Sequence, residues 1–413
     1  MNTADAVPLY NLAPVFRVMV LGLVLATGPL AWVWLRNRQR PFANRLAALT
    51  ALTLFLTFDL VMFGAFTRLT DSGLGCPDWP GCYGDASPFG AHAEISQAQA
   101  AMPTGPVTHT KAWIEMIHRY LATGVGVLLL TLALTSWLRR RELPAGIGPG
   151  WPLAALIWVC VQGAFGALTV TMKLQPVIVT LHLLGGLVLL ALIARQALAY
   201  AQADGRHLRQ AISPALRASL WAGFALLWLQ LALGGWVSTN YAVLACDGFP
   251  ACQGSVWPPM DWHQAFELWR PLGQTGAGEA ITMAALTAIH YAHRLMAYLL
   301  LPVLWALAWH LGRAGLRAQG RALGLLALLQ LATGLSNVIL GWPLAAAVLH
   351  TGGAGALVMA FTWALGTSRT AHQTERQADR HSARKTPTQA APEASSAATT
   401  AFASSRRPEG AQS

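Results

Sequence analysis

The chain has 413 residues, of which 54% are hydrophobic and only 11% are charged. Soluble domains carry about 25% charged residues, so this composition excludes an ordinary soluble fold and points to a polytopic membrane protein. The net charge of +11 would suit a nucleic-acid binder, but its distribution along the chain excludes that class.

A membrane-crossing helix needs about 20 apolar residues. Nine such runs occur, at about 15–35, 45–67, 113–138, 151–172, 177–199, 217–239, 280–311, 322–340 and 345–366. The first has no small-residue cleavage site and is followed at once by RNRQR, so it reads as a retained helix rather than a signal peptide. Arginines crowd every second loop: Arg36, Arg38, Arg40 and Arg45, then Arg139 to Arg141, then Arg206, Arg209 and Arg217, then Arg313, Arg317 and Arg321. That is the positive-inside pattern, which puts these loops and the C-terminal tail in the cytoplasm and the N-terminus outside. The expected location is a bacterial inner membrane.

Two loops on the opposite, periplasmic face hold four of the five cysteines: CPDWPGC at 76–82 and CDGFPAC at 246–252. An oxidising compartment permits disulfides, and structural zinc sites usually use tighter spacings. Cys76–Cys82 and Cys246–Cys252 are therefore expected as disulfides, while Cys160 falls inside a span and reads as packing.

The two loops belong to a duplication. GAFTRLTDSGLGCPDWPGCYG from Gly64 matches GGWVSTNYAVLACDGFPACQG from Gly234, and EMIHRYLA (115–122) matches HYAHRLMA (290–297). QGAFG (162–166) followed by LHLLGG (181–186) matches QLATG (330–334) followed by LHTGGAG (349–355). The expected architecture is all-α: an extra N-terminal helix and cytoplasmic linker (1–44), a first four-helix bundle (45–200), a cytoplasmic linker (201–216), a second, pseudo-symmetric four-helix bundle (217–366) and a disordered cytoplasmic tail (367–413).

Ionisable residues inside spans face bundle interiors and are functional by default. The repeat singles out His118 and His182 in the first unit and His293 and His350 in the second. Each has a small residue four positions on, on the same helical face: Ala122, Gly186, Ala297 and Ala354. Counting 21 residues from His118 to Arg139, 20 from His293 to Arg313 and 19 from His350 to Arg369 gives about 30 Å of helix, which sets these imidazoles near the periplasmic boundary. Two imidazoles across a helical bundle suit the axial positions of haem iron. Zinc would need more carboxylates or thiolates than the spans carry.

The units differ at one place. Glu115 shares a helical face with His118, and His290 stands at the equivalent position. A carboxylate beside two imidazoles marks a site where protons move; its alternative is an interfacial glutamate paired with Arg119 or Lys111. Arg68 either anchors a propionate or pairs with Asp71. Gln162 and Gln330, a matched pair, read as hydrogen-bonding between helices.

FGAFTRLTDSGLGCPDWPGCYG, KAWIEMIHR and the paired HR and LH…GG motifs, over about residues 45–366, resemble the haem A synthase family. The resemblance implies oxidation of the C8 methyl of haem O to a formyl group, making haem A for terminal oxidase assembly, with water as the oxygen source. It implies His118 and His182 as ligands of the substrate haem, His293 and His350 as ligands of a haem b cofactor, and Glu115 as the essential acid. His290 beside His293 leaves two candidates for one ligand position. The expected partners are the farnesyltransferase that supplies haem O, an electron acceptor, membrane lipid and a second copy of the chain. The alternative reading is a non-enzymatic dihaem b cytochrome relaying electrons between quinone and a periplasmic protein. A thiol oxidase using the loop cysteines is disfavoured by their Cys-x5-Cys spacing, since reactive pairs are usually Cys-x2-Cys.

Overall fold

The structure, a computed structural model, describes residues 13–370. Eleven α-helices follow in chain order: α1 (Ala13–Arg36), α2 (Phe42–Leu69), α3 (His92–Ala101), α4 (His109–Leu138), α5 (Gly150–Thr171), α6 (Pro176–Ala203), α7 (Pro214–Thr239), α8 (Trp262–Ala265), α9 (Met283–Arg313), α10 (Arg317–Ile339) and α11 (Leu344–Thr367). Among the described residues, nine helices are long and apolar enough to cross a membrane, all but α3 and α8. They coincide with the nine apolar runs to within a few residues at each end. The fold is that of an all-α integral membrane protein.

Local chemistry explains where several helices begin. Thr108, Ser213 and Thr282 each accept a backbone N–H three residues on, capping α4, α7 and α9. Pro176 and Pro214 open α6 and α7 at the first helical position, where the missing N–H costs nothing. Inside the spans, buried hydroxyls return to their own helix: Thr50, Thr53 and Thr57 donate to the carbonyls four residues back, at 2.7–2.8 Å. Hydrocarbon offers them no other partner.

α2 packs against α4 and α6, and α5 against both α4 and α6; α9 packs against α7 and α10, and α11 against α10 and α7. α2 and α6 also meet α11, and α6 meets α7, so the two halves of the chain share a seam. Leu187 and Leu190 of α6 lie in one apolar cluster with Leu220, Leu227, Leu304, Leu323 and Phe361. α1 lies along α4, with Gly22 pressed against Thr123: a Cβ there would come within 2.3 Å of the threonine methyl. Its Val18 joins the cluster around Cys76, Cys82 and Met116.

After α11, Ser368–Arg369 pairs in parallel with Gln210–Ala211, so residues on either side of the second half are stitched together. The remainder of the segment expected to be a disordered tail lies outside the described residues.

The disulfides form as expected, Cys76–Cys82 and Cys246–Cys252, each with Cα atoms 4.9 Å apart. The two loops repeat one another in space as well. Each holds a cis X-Pro bond (Trp79–Pro80 and Phe249–Pro250) and closes with a β-bridge from its second cysteine, to Asp85 and to Ser255. Cys160 is the free cysteine of the described residues and lies exposed on α5.

Candidate functional site

Each repeated histidine faces a repeated glycine on the neighbouring helix. A Cβ built on Gly64 of α2 would lie 3.0 Å from Nε2 of His118 on α4, and one on Gly234 of α7 would lie 2.9 Å from Cε1 of His293 on α9. Gly166 of α5 stands at 3.6 Å from Cε1 of His182 on α6, and Gly334 of α10 at 3.3 Å from Cε1 of His350 on α11. The duplication thus reaches the atoms: four imidazoles lie against four backbone positions stripped of side chain. The small residues expected to leave space lie on each histidine's own helix, whereas the glycines pressed against the imidazoles come from the helix opposite.

In the second half, the rings of His293 and His350 have centroids 6.4 Å apart with planes at 81°. Thr333 Oγ1 lies 2.9 Å from His350 Nδ1 and 2.8 Å from the Leu329 carbonyl. A hydroxyl has one proton. Given to the carbonyl, it leaves the oxygen to accept Nδ1–H, so the His350 Nε2 lone pair is unprotonated. Gln330 donates to the His350 carbonyl at 2.9 Å, a bond between helices as expected for this residue. Gln230 brings its amide nitrogen to 3.1 Å from His293 Nδ1 and 3.3 Å from its Nε2 and donates to the His293 carbonyl at 3.3 Å, while its Oε1 is buried without a partner.

His290 is engaged elsewhere. Its Nδ1 lies 3.0 Å from the Ala242 carbonyl, and its Nε2 accepts from Arg294 Nε at 3.4 Å. Both ring nitrogens are therefore spoken for, while His293 faces His350. This geometry favours His293 of the two candidates.

In the first half, His118 lies parallel to Phe63, at 6.3 Å and 8°. His182 Nδ1 is buried with no hydrogen-bond partner. Glu115, 4% exposed, pairs with Arg119 and accepts the Cys76 amide at 2.8 Å. The ion pair with Arg119 is one of the two arrangements the sequence left open, and it ties the carboxylate to the disulfide loop.

Of the second residues of the two HR motifs, Arg119 was named from the sequence only as a partner for Glu115, and Arg294 was not singled out. Arg119 donates to the carbonyls of Asp78, Pro80 and Gly81, and Arg294 to those of Cys246, Gly248 and Ala251. Each arginine binds the cysteine loop above its histidine, using the several donors of a planar guanidinium. The HR repetition was the available signal, but sequence cannot show which carbonyls a guanidinium will meet.

Arg68 sits at the seam. It pairs with Asp71 at 3.3 Å, donates to the Ser238 carbonyl at 2.6 Å and stacks at 3.9 Å over Tyr241, whose hydroxyl donates to Asp71 at 2.6 Å. Of the two roles expected for Arg68, the ion pair with Asp71 is the one observed here.

A haem iron needs two axial donors, because the macrocycle supplies the rest. Among the described residues no three His, Cys, Asp or Glu side chains converge, so each pair offers imidazoles and little else. His293 and His350, with ring centroids 6.4 Å apart, would hold a haem iron between them, and an Nδ1 anchored by Thr333 suits that role, since ligating histidines commonly donate their other N–H to an acceptor.

Fold and site together define a polytopic helical membrane protein that carries a duplicated histidine–glycine arrangement. The sequence model of one family, the cytochrome oxidase assembly protein, matches residues 47–362. The haem A synthase of Shewanella oneidensis is 38% identical over 325 residues, 76% of this chain and 94% of that protein. Those of Rhizorhabdus wittichii and Alkalihalophilus pseudofirmus are 27% and 26% identical, covering 78% and 64% of this chain and 94% and 77% of their own lengths. The chain belongs to the cytochrome oxidase assembly protein family.

Proposed function

We propose that this protein is a haem A synthase that oxidises the C8 methyl of haem O to a formyl group, in the service of terminal oxidase assembly. The observation that carries the reading is the fourfold glycine–histidine arrangement inside a membrane bundle of this family. With water as the oxygen source, methyl-to-formyl conversion releases four electrons and four protons, so the site must hold the substrate, take up protons and pass electrons on.

In this reading the chain divides as its repeat does. Residues 45–200 form the substrate unit, in which His118 and His182 hold haem O. Residues 217–366 form the cofactor unit, in which His293 and His350 hold haem b. When bound, haem b supplies a one-electron carrier. Glu115 accepts protons from the reacting carbon: Arg119 and the Cys76 amide fix its two oxygens, and each oxygen keeps a further lone pair. His290 fills the same place in the cofactor unit and hydrogen-bonds through both nitrogens, which suits a unit with no proton to collect. The protein lies in a bacterial inner membrane with its cysteine loops in the periplasm. Its partners are a farnesyltransferase, an electron acceptor and, in an oligomer, a second copy of itself.

The test is haem extraction from membranes supplied with haem O. A positioned base contributes roughly 10²–10⁴-fold, so Glu115→Gln should accumulate haem O and form haem A at least about 100-fold more slowly, with total bound haem unchanged. Haem A made at the wild-type rate would remove Glu115 from the chemistry.

A further inference from the structure

The two imidazole pairs differ in what holds them. In the second half, Thr333 accepts the Nδ1–H of His350, and the Gln230 amide reaches His293 Nδ1. The same amide nitrogen lies 3.3 Å from His293 Nε2 and donates to the His293 carbonyl at 3.3 Å, so it restrains the residue from both its ring and its backbone. The duplication fixes the corresponding positions in the first half. Thr333 precedes Gly334 as Phe165 precedes Gly166, and Gln230 lies four residues before Gly234 as Leu60 lies four before Gly64. Where the second half has a hydroxyl and an amide, the first has a phenyl ring and an isobutyl group. The consequence is visible at His182, whose Nδ1 is buried with no partner, and His118 has the Phe63 ring parallel to its own.

Resting on the haem reading above, we propose that Thr333 and Gln230 are positioning residues that make the second pair a site of haem retention. Leu60 and Phe165 leave the first pair unanchored and so make it a site of haem exchange. An acceptor on Nδ1 fixes ring orientation and tautomer and raises the basicity of Nε2, and loss of such a partner typically costs 10–100-fold in metal affinity. An unanchored imidazole must give up rotational freedom and choose its tautomer on each binding event. A permanent cofactor needs the first arrangement. A substrate that enters and leaves as product at every turnover needs the second.

The test is haem transfer from the full-length purified protein to excess apomyoglobin, followed by absorbance after loading with iron protoporphyrin IX. The wild type should release haem in a fast and a slow phase. Thr333→Val keeps the side-chain volume and removes the acceptor; it should speed the slow phase by about 10–100-fold and leave the fast phase alone, and Thr333→Ser should restore retention. Phe165→Thr installs an acceptor opposite His182 and should slow the fast phase. A slow phase unchanged in T333V, a serine variant that behaves like the valine one, or a fast phase unchanged in F165T would overturn the proposal while leaving the haem reading intact. A wild-type protein that takes up no haem would overturn both.

Discussion

Placing alanine at each of the four glycines gives a graded test whose order is set by distance. Carbon atoms in contact sit about 3.5–4.0 Å apart. At Gly234 the new methyl would lie 2.9 Å from His293 Cε1, so the ring must retreat by at least about 0.6 Å, roughly three times the ±0.2 Å tolerance of a metal–ligand distance. Gly64 is nearly as tight, at 3.0 Å from His118 Nε2, Gly334 needs less movement at 3.3 Å, and Gly166 at 3.6 Å is ordinary contact. Overpacking costs about 1–3 kcal/mol, while alanine favours the helix by about 1 kcal/mol over glycine. The chain should therefore stay folded while ligation suffers. Haem-to-protein ratio and thermal midpoint, measured on all four variants, should show Gly234→Ala and Gly64→Ala losing most of the haem of their own pair, Gly334→Ala losing part and Gly166→Ala none, with little change in melting. Haem loss in Gly166→Ala combined with full occupancy in Gly234→Ala would refute the claim that these glycines make room for the imidazoles.

Two further predictions concern the end of the bundle that carries the cysteine loops. Reducing a closed loop of this size returns chain entropy worth about 2 kcal/mol, so Cys76→Ser with Cys82→Ser should lower the thermal midpoint without abolishing haem A formation; loss of chemistry with unchanged stability would instead make the thiols reactive groups. Burial pushes the Tyr241 hydroxyl above its ordinary value of 10.0, the Arg68 charge opposes this, and the hydrogen bond to Asp71 adds to it. A group whose folded value is raised contributes stability that is fully present below the unfolded value and is lost as pH climbs above it. Unfolding measured between pH 8 and 11 should show stability falling above about pH 10, and Tyr241→Phe should flatten that fall.

The fold was legible because crossing a bilayer needs long apolar runs, a signal that depends on composition rather than on tertiary detail. The disulfides and the four histidines were legible because a duplication marks the same positions twice. What remained hidden depends on which helix faces which. Gly64 and Gly234 served only as register marks twelve residues before a cysteine until the structure placed them against His118 and His293. Thr333 looks like any hydroxyl in a span, and most of those bond their own helix, as Thr50 does. Arg68 and Tyr241 are 173 residues apart in the chain, and only the seam between the halves brings them together. Helix α3, between α2 and α4, was missed because its ten residues carry little apolar periodicity.

The central claim is that two imidazole pairs hold two iron porphyrins, one to be kept and one to be changed. Its most direct test is haem identification, with reduced-minus-oxidised spectra, on protein purified from membranes supplied with haem O. Wild type should yield haem b together with haem O or haem A. Replacing His118 and His182 by alanine should leave haem b alone, and replacing His293 and His350 should remove haem b. Spectra unchanged after loss of all four imidazoles, or a colourless wild type, would contradict it.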